Sequence, residues 1–98
     1  MIVKKGILRA CIDAWGPVAQ VDMAIEEMAE LTKALIKMRR TRGGTRVQRR
    51  EDVREEIADV LMTVQQMRYL YGAKEVDAYI EMKTKRLIKR LAESENGN

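Results

Sequence analysis

Two pairs of acidic residues stand at matching places in the sequence, and their spacing suits the binding of a divalent metal ion. Glu27 and Glu30 lie in the run AIEEMAEL, and Glu56 and Asp59 lie in REEIADVL. Because each pair is three residues apart in an apolar, helix-forming segment, both carboxylates share one helix face, with Cβ atoms about 5–6 Å apart. If the two pairs converge, they form a four-carboxylate site of the all-oxygen kind that Mg2+ prefers.

Whether the pairs converge depends on how two helices pack. At about 100° per residue, Glu27 and Glu56 lie at similar offsets of roughly 80°, on the same rotational side of their apolar stripes. Antiparallel packing with the stripes facing each other would place both acids on one side of the helix pair. The connection of roughly ten residues favours antiparallel neighbours. A third pair, Asp52 and Glu55, has the same spacing, so spacing alone is not specific.

The apolar periodicity predicts an all-α chain of four helices at about 2–15, 17–40, 51–71 and 75–93. Pro17 suits the first turn of the second helix, and Gly72 suits the stop after the third. The facing stripes are expected to be Val21, Ile25, Met28, Leu31, Leu35 and Met38 on the second helix, and Val53, Ile57, Val60, Leu61, Val64, Met67 and Tyr71 on the third. Residues 1–93 are expected to form a single domain, with 42–50 a basic loop and 94–98 a flexible tail.

Composition narrows the class of protein. A chain of 98 residues with one cysteine and no histidine has no internal disulfide, zinc cluster or histidine base. The net charge of +4 predicts a mild attraction to anions. Neither an apolar stretch long enough to cross a membrane nor a secretory leader is apparent, so we expect a cytoplasmic protein with no membrane partner.

The strings EEMAEL at 26–31 and EEIADVL at 55–61 resemble the paired EExxE and ExxD elements of the MazG-like nucleoside triphosphate pyrophosphohydrolases. The resemblance extends over most of the chain. It begins with a glutamine before the first acids, in AQVDMAIEEMAEL, and reaches a late basic helix, YIEMKTKRLIKRL. The order of the elements and the 25 residues between Glu30 and Glu56 agree with that family.

This resemblance implies a role for individual residues. The metal-binding acids would be Glu27, Glu30, Glu56 and Asp59, with Mg2+ as the cofactor and Mn2+ as a substitute. Gln20 falls where related proteins place a residue near the nucleotide. Lys83 and Arg86 match late basic positions that approach the phosphates. Some family members have an asparagine in that late region, whereas the asparagines of this chain are Asn96 and Asn98.

The reaction expected from the resemblance is hydrolysis of the α–β phosphoanhydride bond, giving a nucleoside monophosphate and pyrophosphate. A metal ion would reverse the repulsion between carboxylates and a triphosphate and would make a bound water more acidic. Glu27 and Glu30 are the candidate catalytic residues that orient or deprotonate that water. Trp15 could stack on a base, although an aromatic residue beside Gly16 and Pro17 more often belongs to a core or an interface.

A different class of function also fits part of the sequence. Residues 37–50 and 83–90 hold twelve of the nineteen basic residues, as a helical module that binds nucleic acid or an acidic partner would. No helix-turn-helix or aromatic stacking platform supports that alternative, so we expect no nucleic-acid partner. Since the apolar stripes exceed what one thin bundle can bury, we expect a homodimer or homotetramer.

Overall fold

The computed structural model describes residues 3–97, and all regular structure in that range is helical. The elements, in chain order, are α1 (Lys5–Trp15), α2 (Pro17–Arg40), a 3-10 turn (Gly43–Thr45), α3 (Arg46–Tyr71) and α4 (Ala73–Gly97). The predicted all-α class and the four helices are therefore confirmed.

Two of the predicted helix boundaries depend on glycine. Gly16 has a φ of 84° and precedes Pro17, which occupies the first turn of α2. Gly72 has a φ of 114°, and its N–H donates to the carbonyl of Arg68 at 3.1 Å, which closes α3. Residues other than glycine rarely adopt a φ in this range, so glycine suits both positions.

The predicted start of α3 was wrong, because the helix begins at Arg46 and absorbs half of the expected loop at 42–50. Glu51 and Asp52, which were expected to mark the helix N-terminus, instead lie one turn inside it. Asp52 Oδ1 accepts a hydrogen bond from Gln48 Nε2 at 3.0 Å, and Asp52 Oδ2 lies 3.6 Å from Arg49 Nη1. These contacts between neighbouring turns stabilise a helix that has already begun.

At the two ends of the chain, the structure places the helices differently from the prediction. The first helix begins at Lys5, whereas Ile2, the expected start, lies outside the described residues. Residues 94–97 were expected to belong to a tail and instead continue α4. Their flexibility stays a prediction, and Asn98 lies outside the described residues.

Helices α2 and α3 form an antiparallel pair, as predicted. Pro17 and Tyr71 line one groove, and Gln20 and Gln66 line the next. At the opposite end of the pair, Lys37 lies across from Asp52. Residues early in α2 thus meet residues late in α3, which is the antiparallel order.

The faces that α2 and α3 turn toward each other are largely small and polar, so the predicted packing of apolar stripes was correct only in part. Ala24 is 1% exposed and Thr63 is 8% exposed, whereas Ile25 is 58% exposed and Ile57 is 42% exposed. Small side chains let the two backbones approach closely. Ile25 and Ile57 consequently point away from the contact, and at about 100° per residue both lie on the same broad side of the antiparallel pair. Leu31, from the same stripe as Ile25, is half-buried.

Helix α1 lies across the other broad side of the pair and is held there by glutamines of α3. Gln66 Nε2 donates to the carbonyl of Leu8 at 2.8 Å, and Gln65 Nε2 donates to the carbonyl of Val3 at 2.7 Å. Leu8 itself is buried. These bonds join residues about 60 positions apart in the sequence and fix α1 over the C-terminal part of α3.

Helix α4 packs against the end of α3 and then extends away with little cover. Arg68 donates from Nε and Nη2 to the two carboxylate oxygens of Asp77, at 2.9 and 2.6 Å. Every residue from 77 to 96 is exposed. Among residues 3–97, none of the helices combines the length and the apolar character needed to span a bilayer.

Candidate metal centre

Three of the four predicted acids meet across the α2–α3 contact. Each of Glu27, Glu56 and Asp59 presents a carboxylate oxygen, and these oxygens all lie within 4.8 Å of one another. Each residue is partly buried, because its position belongs to the inner face of its helix. Glu27 follows Ala24 and precedes Leu31 on that face, so the same periodicity that closes the helix pair brings the carboxylates together.

Glu30, the fourth predicted acid, stands at the edge of this group. It is exposed, and its carboxylate lies 3.9 Å from Lys33 Nζ. It faces Glu56 across a shared cavity, and its negative charge contributes to the raised pKa of Glu56. The structure thus places Glu30 beside the three-carboxylate cluster of Glu27, Glu56 and Asp59 and not within it.

The electrostatics of the cluster disfavour its charged form. Partial burial raises the pKa of Glu27 above its ordinary value, and the neighbouring charges of Asp59 and Glu56 raise it further. The pKa of Glu56 is also raised, by partial burial first and then by Asp59 and Glu30. Carboxylates that repel one another in this way gain most from a cation placed between them.

An unpartnered atom tests whether the cluster suits a metal ion. Glu56 Oε2 is buried and has no hydrogen-bond partner among residues 3–97. A buried acceptor without a partner is unfavourable unless a ligand satisfies it. Carboxylate oxygens are the ligands that Mg2+ and Mn2+ take, so the residues present fit such an ion.

An open cavity of about 170 Å³ adjoins the cluster, toward the C-terminal end of α2. Its lining residues are Glu30, Lys33, Ala34, Lys37, Asp52, Glu55 and Glu56. Lys33 and Lys37 are the cations of this cavity. The sequence interpretation missed Lys33 and counted Lys37 only toward the basic binding module. Their spacing could have identified them, since they follow Glu30 by three and seven residues and so share its face of α2.

A second cavity, of about 110 Å³, lies between α1 and the α2–α3 pair. Gln20 and Trp15, both predicted near the substrate, line it together with Val3, Ile7, Leu8, Cys11, Met23, Met62, Thr63 and Gln66. Gln66 escaped the sequence interpretation. Its position seven residues after Asp59, on the same face of α3, was the available signal.

Lys83 and Arg86 lie apart from these features. Both are exposed on the extended part of α4, and neither lines either cavity. The chain by itself therefore brings together the acids, Gln20 and Trp15 on one broad side of the α2–α3 pair. It does not add the two late basic residues to that group.

Comparison of the chain with protein-family models, with curated proteins and with solved structures found no match. The geometry of the site and the resemblance of its motifs are consequently the basis for a function.

Proposed function

We propose that this protein is a Mg2+-dependent nucleoside triphosphate pyrophosphohydrolase of the MazG-like kind. The observation that carries the proposal is the cluster of Glu27, Glu56 and Asp59, drawn from two helices that the motif resemblance had already paired. The buried, unpartnered Glu56 Oε2 supports a cation at this place. The motif resemblance supplies the reaction, since the cluster alone would suit several kinds of metal site.

In this proposal the cluster residues hold the ion, and Glu30 lies within reach as a fourth carboxylate. When bound, Mg2+ or Mn2+ supplies positive charge for the phosphate oxygens and makes a coordinated water more acidic. Glu27, on the inner face of α2, fixes the site through its packed position. Glu30 is exposed and less constrained, so it can orient the attacking water and accept its proton.

The substrate phosphates need cations in addition to the metal, and Lys33 and Lys37 are the nearest candidates. Both border the cavity beside Glu30 and Glu56. Flexible ammonium groups at this edge would contact the phosphates that leave as pyrophosphate. The oxygen of the attacking water would bond to the α-phosphorus while the bond between that phosphorus and the oxygen bridging it to the β-phosphorus breaks. The products would be a nucleoside monophosphate and pyrophosphate.

We also propose that the protein acts as a homodimer or homotetramer. Its accessible surface is 8005 Å², whereas a compact monomer of this length exposes about 5,700 Å². The excess, about 2,300 Å² per chain, falls in the range that obligate interfaces bury. In such an assembly Lys83 or Arg86 of α4 could approach the phosphates of a neighbouring subunit.

One structural feature favours the alternative of a basic binding module. The end of the α2–α3 pair, residues 37–50, carries seven basic residues and no acidic one. Such a surface attracts polyanions through phosphate contacts that weaken steeply with salt. No part of it is arranged to read bases, so any nucleic-acid binding should be weak and unspecific.

The deciding experiment is a hydrolysis screen of canonical and damaged nucleoside triphosphates, with detection of pyrophosphate. Activity should require Mg2+ or Mn2+, stop with EDTA, and yield the monophosphate with intact pyrophosphate. Glu56→Gln should abolish it, since the amide removes a charged ligand. Glu51→Gln is the matched control on the same helix, because Glu51 lies outside the cluster and pairs with Arg54 on the surface. Absence of turnover with every triphosphate, together with tight nucleic-acid binding at physiological salt, would show that the basic module is the correct function.

A further inference from the structure

We infer that α4 is an exchanged arm, so that in a two-fold dimer α4 of each copy lies on the outer apolar face of the other copy's α2–α3 pair. The outer apolar face is the broad side away from the carboxylates, and its residues are Ile25, Met28, Leu35, Ile57 and Val64. The inference rests on the self-association in the proposed function and identifies the two surfaces that meet. It can be tested without metal, substrate or catalysis.

Helix α4 carries an apolar stripe that its own chain covers only at the start. Val76, Ile80, Leu87 and Leu91 are four, seven and four residues apart, so they share one face of the helix. Val76 is partly buried, whereas Ile80, Leu87 and Leu91 each expose about half of their surface. Because a helix in a protein is stabilised mainly by packing of its apolar face, this stripe indicates a contact that one chain does not supply.

The direction in which α4 leaves α3 is fixed near its first turn. Arg68 and Asp77 pair through two hydrogen bonds, at 2.9 and 2.6 Å. Val64 of α3 and Ile80 of α4 border an open cavity, so the two helices are already apart at that point. Beyond Ile80, residues 81–96 form a free arm about 24 Å long, and all of these residues are exposed.

The outer apolar face has the form that a third helix needs. Ile25 and Met28 are three residues apart on α2, and Ile57 and Val64 are seven apart on α3, so each pair keeps to one side of its helix. All four are 42–58% exposed. Two neighbouring helices leave a groove between their rows of side chains, into which the ridge of another helix packs. Since α3 has 26 residues, the face is long enough to cover the whole free arm.

The dimensions of the chain favour a second copy as the occupant. The radius of gyration is 17.4 Å, whereas a compact chain of this length has about 13 Å. A different protein bound to the outer apolar face would leave the free arm uncovered, and one bound to the arm would leave the face uncovered. A second copy covers both surfaces, and the two-fold symmetry of a dimer repeats each contact.

Photo-cross-linking locates the arm directly. A benzophenone amino acid replaces Leu87 in the full chain, and unlabelled and isotope-labelled chains are refolded together before irradiation. We expect cross-links between different chains, from position 87 to peptides that hold residues 25–35 or 57–64. The same probe in place of Met82 is the control. Met82 is also exposed and apolar, but it lies about 140° around the helix from Leu87, so it should give few of these cross-links.

A charged substitution measures the same contact in solution. Leu87→Lys should weaken association about tenfold or more in sedimentation experiments, because it places a charge in an apolar contact. Met82→Lys, on the other side of the helix, should associate as wild type does. The helical circular dichroism of Leu87→Lys should also fall, since the free arm loses the packing that stabilises it.

Three results would overturn the inference. These are cross-links from position 87 that are absent or confined to its own chain or to the partner's α4, wild-type association in Leu87→Lys, and a wild-type chain that sediments as a monomer. Each can occur while Mg2+-dependent hydrolysis proceeds. Conversely, cross-links to the outer apolar face of a second copy, in a protein that hydrolyses no triphosphate, would establish the exchanged arm and refute the proposed activity.

Discussion

At the scale of single residues, the site couples stability to charge. Glu27 and Glu56 both have a raised pKa in the folded chain, so the folded state holds more protons than the unfolded state between the ordinary glutamate value of 4.5 and the raised values. Stability therefore falls as pH rises through that window and recovers as pH falls. The three carboxylates therefore make the folded chain less stable near neutral pH than at the acidic end of that window.

We predict that Glu56→Gln flattens this pH dependence. In EDTA, the melting temperature of wild type should decline from pH 4.5 toward neutrality more than that of the variant, because the variant has one carboxylate fewer to repel Glu27 and Asp59. Near neutral pH the metal-free variant should melt at the higher temperature. Thermal melts followed by circular dichroism measure both effects.

Addition of Mg2+ should reverse the order of the two proteins. Wild type should gain stability in proportion to the logarithm of ligand concentration, because the ion binds the folded state, whereas Glu56→Gln should gain little. Identical melting temperatures with and without Mg2+ in wild type would count against a metal at the cluster.

At the scale of helices, the sequence predicted which helices exist, and in what order, better than it predicted which of their faces pack together. Gly16 and Gly72 are strong local indications of helix ends, and the structure has a helix boundary at each of them. The start of α3 was harder, because Glu51 and Asp52 suit a helix N-terminus and equally suit pairs with nearby cations such as Arg49 and Arg54. Acidic residues are compatible with a helix start and with ion pairs inside a helix, and the helix that begins earlier allows these pairs to form.

The face of α2 that packs on α3 was predicted only in part, because the apolar pattern indicated bulky residues whereas the contact is built largely on small ones. Ile25 and Leu35 mark the apolar face of α2, yet Ala24 and Ala34 are the residues that α3 covers. A small-residue face is weak in a hydrophobic pattern, although it permits close helix contact. The acids converged because they lie on this face with Ala24, and not by the flank geometry that the stripes suggested.

Two glycine substitutions should have opposite effects on stability. Gly72→Ala should destabilise the chain by about 1–2 kcal/mol, because a side chain strains the positive φ and would also overlap the side chain of Glu75. Gly6→Ala should stabilise by up to about 0.5–1 kcal/mol, since Gly6 lies in α1 with open space around its Cα. Urea denaturation of both variants measures the difference, and a stabilised Gly72→Ala would show that α3 ends differently.

At the scale of the whole molecule, the site and the apolar face marked by Ile25 and Ile57 occupy different sides of one helix pair. The carboxylates, Gln20 and α1 lie on one broad side. Ile25 and Ile57 lie on the other, and at 58% and 42% exposure they are poorly covered for residues of their size. A second copy packed on the apolar side would leave the acidic side open to substrate. The amount of apolar sequence led to the prediction of a partner subunit, but the sequence did not indicate which side of the helix pair carries the exposed apolar residues.

Assembly through the apolar side predicts that folding depends on protein concentration. Dilution should lower the melting temperature, because subunit association and folding are linked by mass action. Ile57→Lys should disperse the oligomer, since it places a charge on the apolar side. Ala58→Lys is the control on the same helix, as Ala58 is exposed and its side chain lies about 100° around the helix from that of Ile57.

Sedimentation velocity and melts over a wide range of concentration measure both variants. We expect wild type and Ala58→Lys to sediment as dimers or tetramers, and Ile57→Lys to sediment as a smaller and less stable species. If hydrolysis also needs the assembly, Ile57→Lys should lose activity although its carboxylates are intact. A wild-type chain that sediments as a monomer, with a melting temperature independent of concentration, would mean that its 8005 Å² of surface stays exposed to water and that the apolar side has another use.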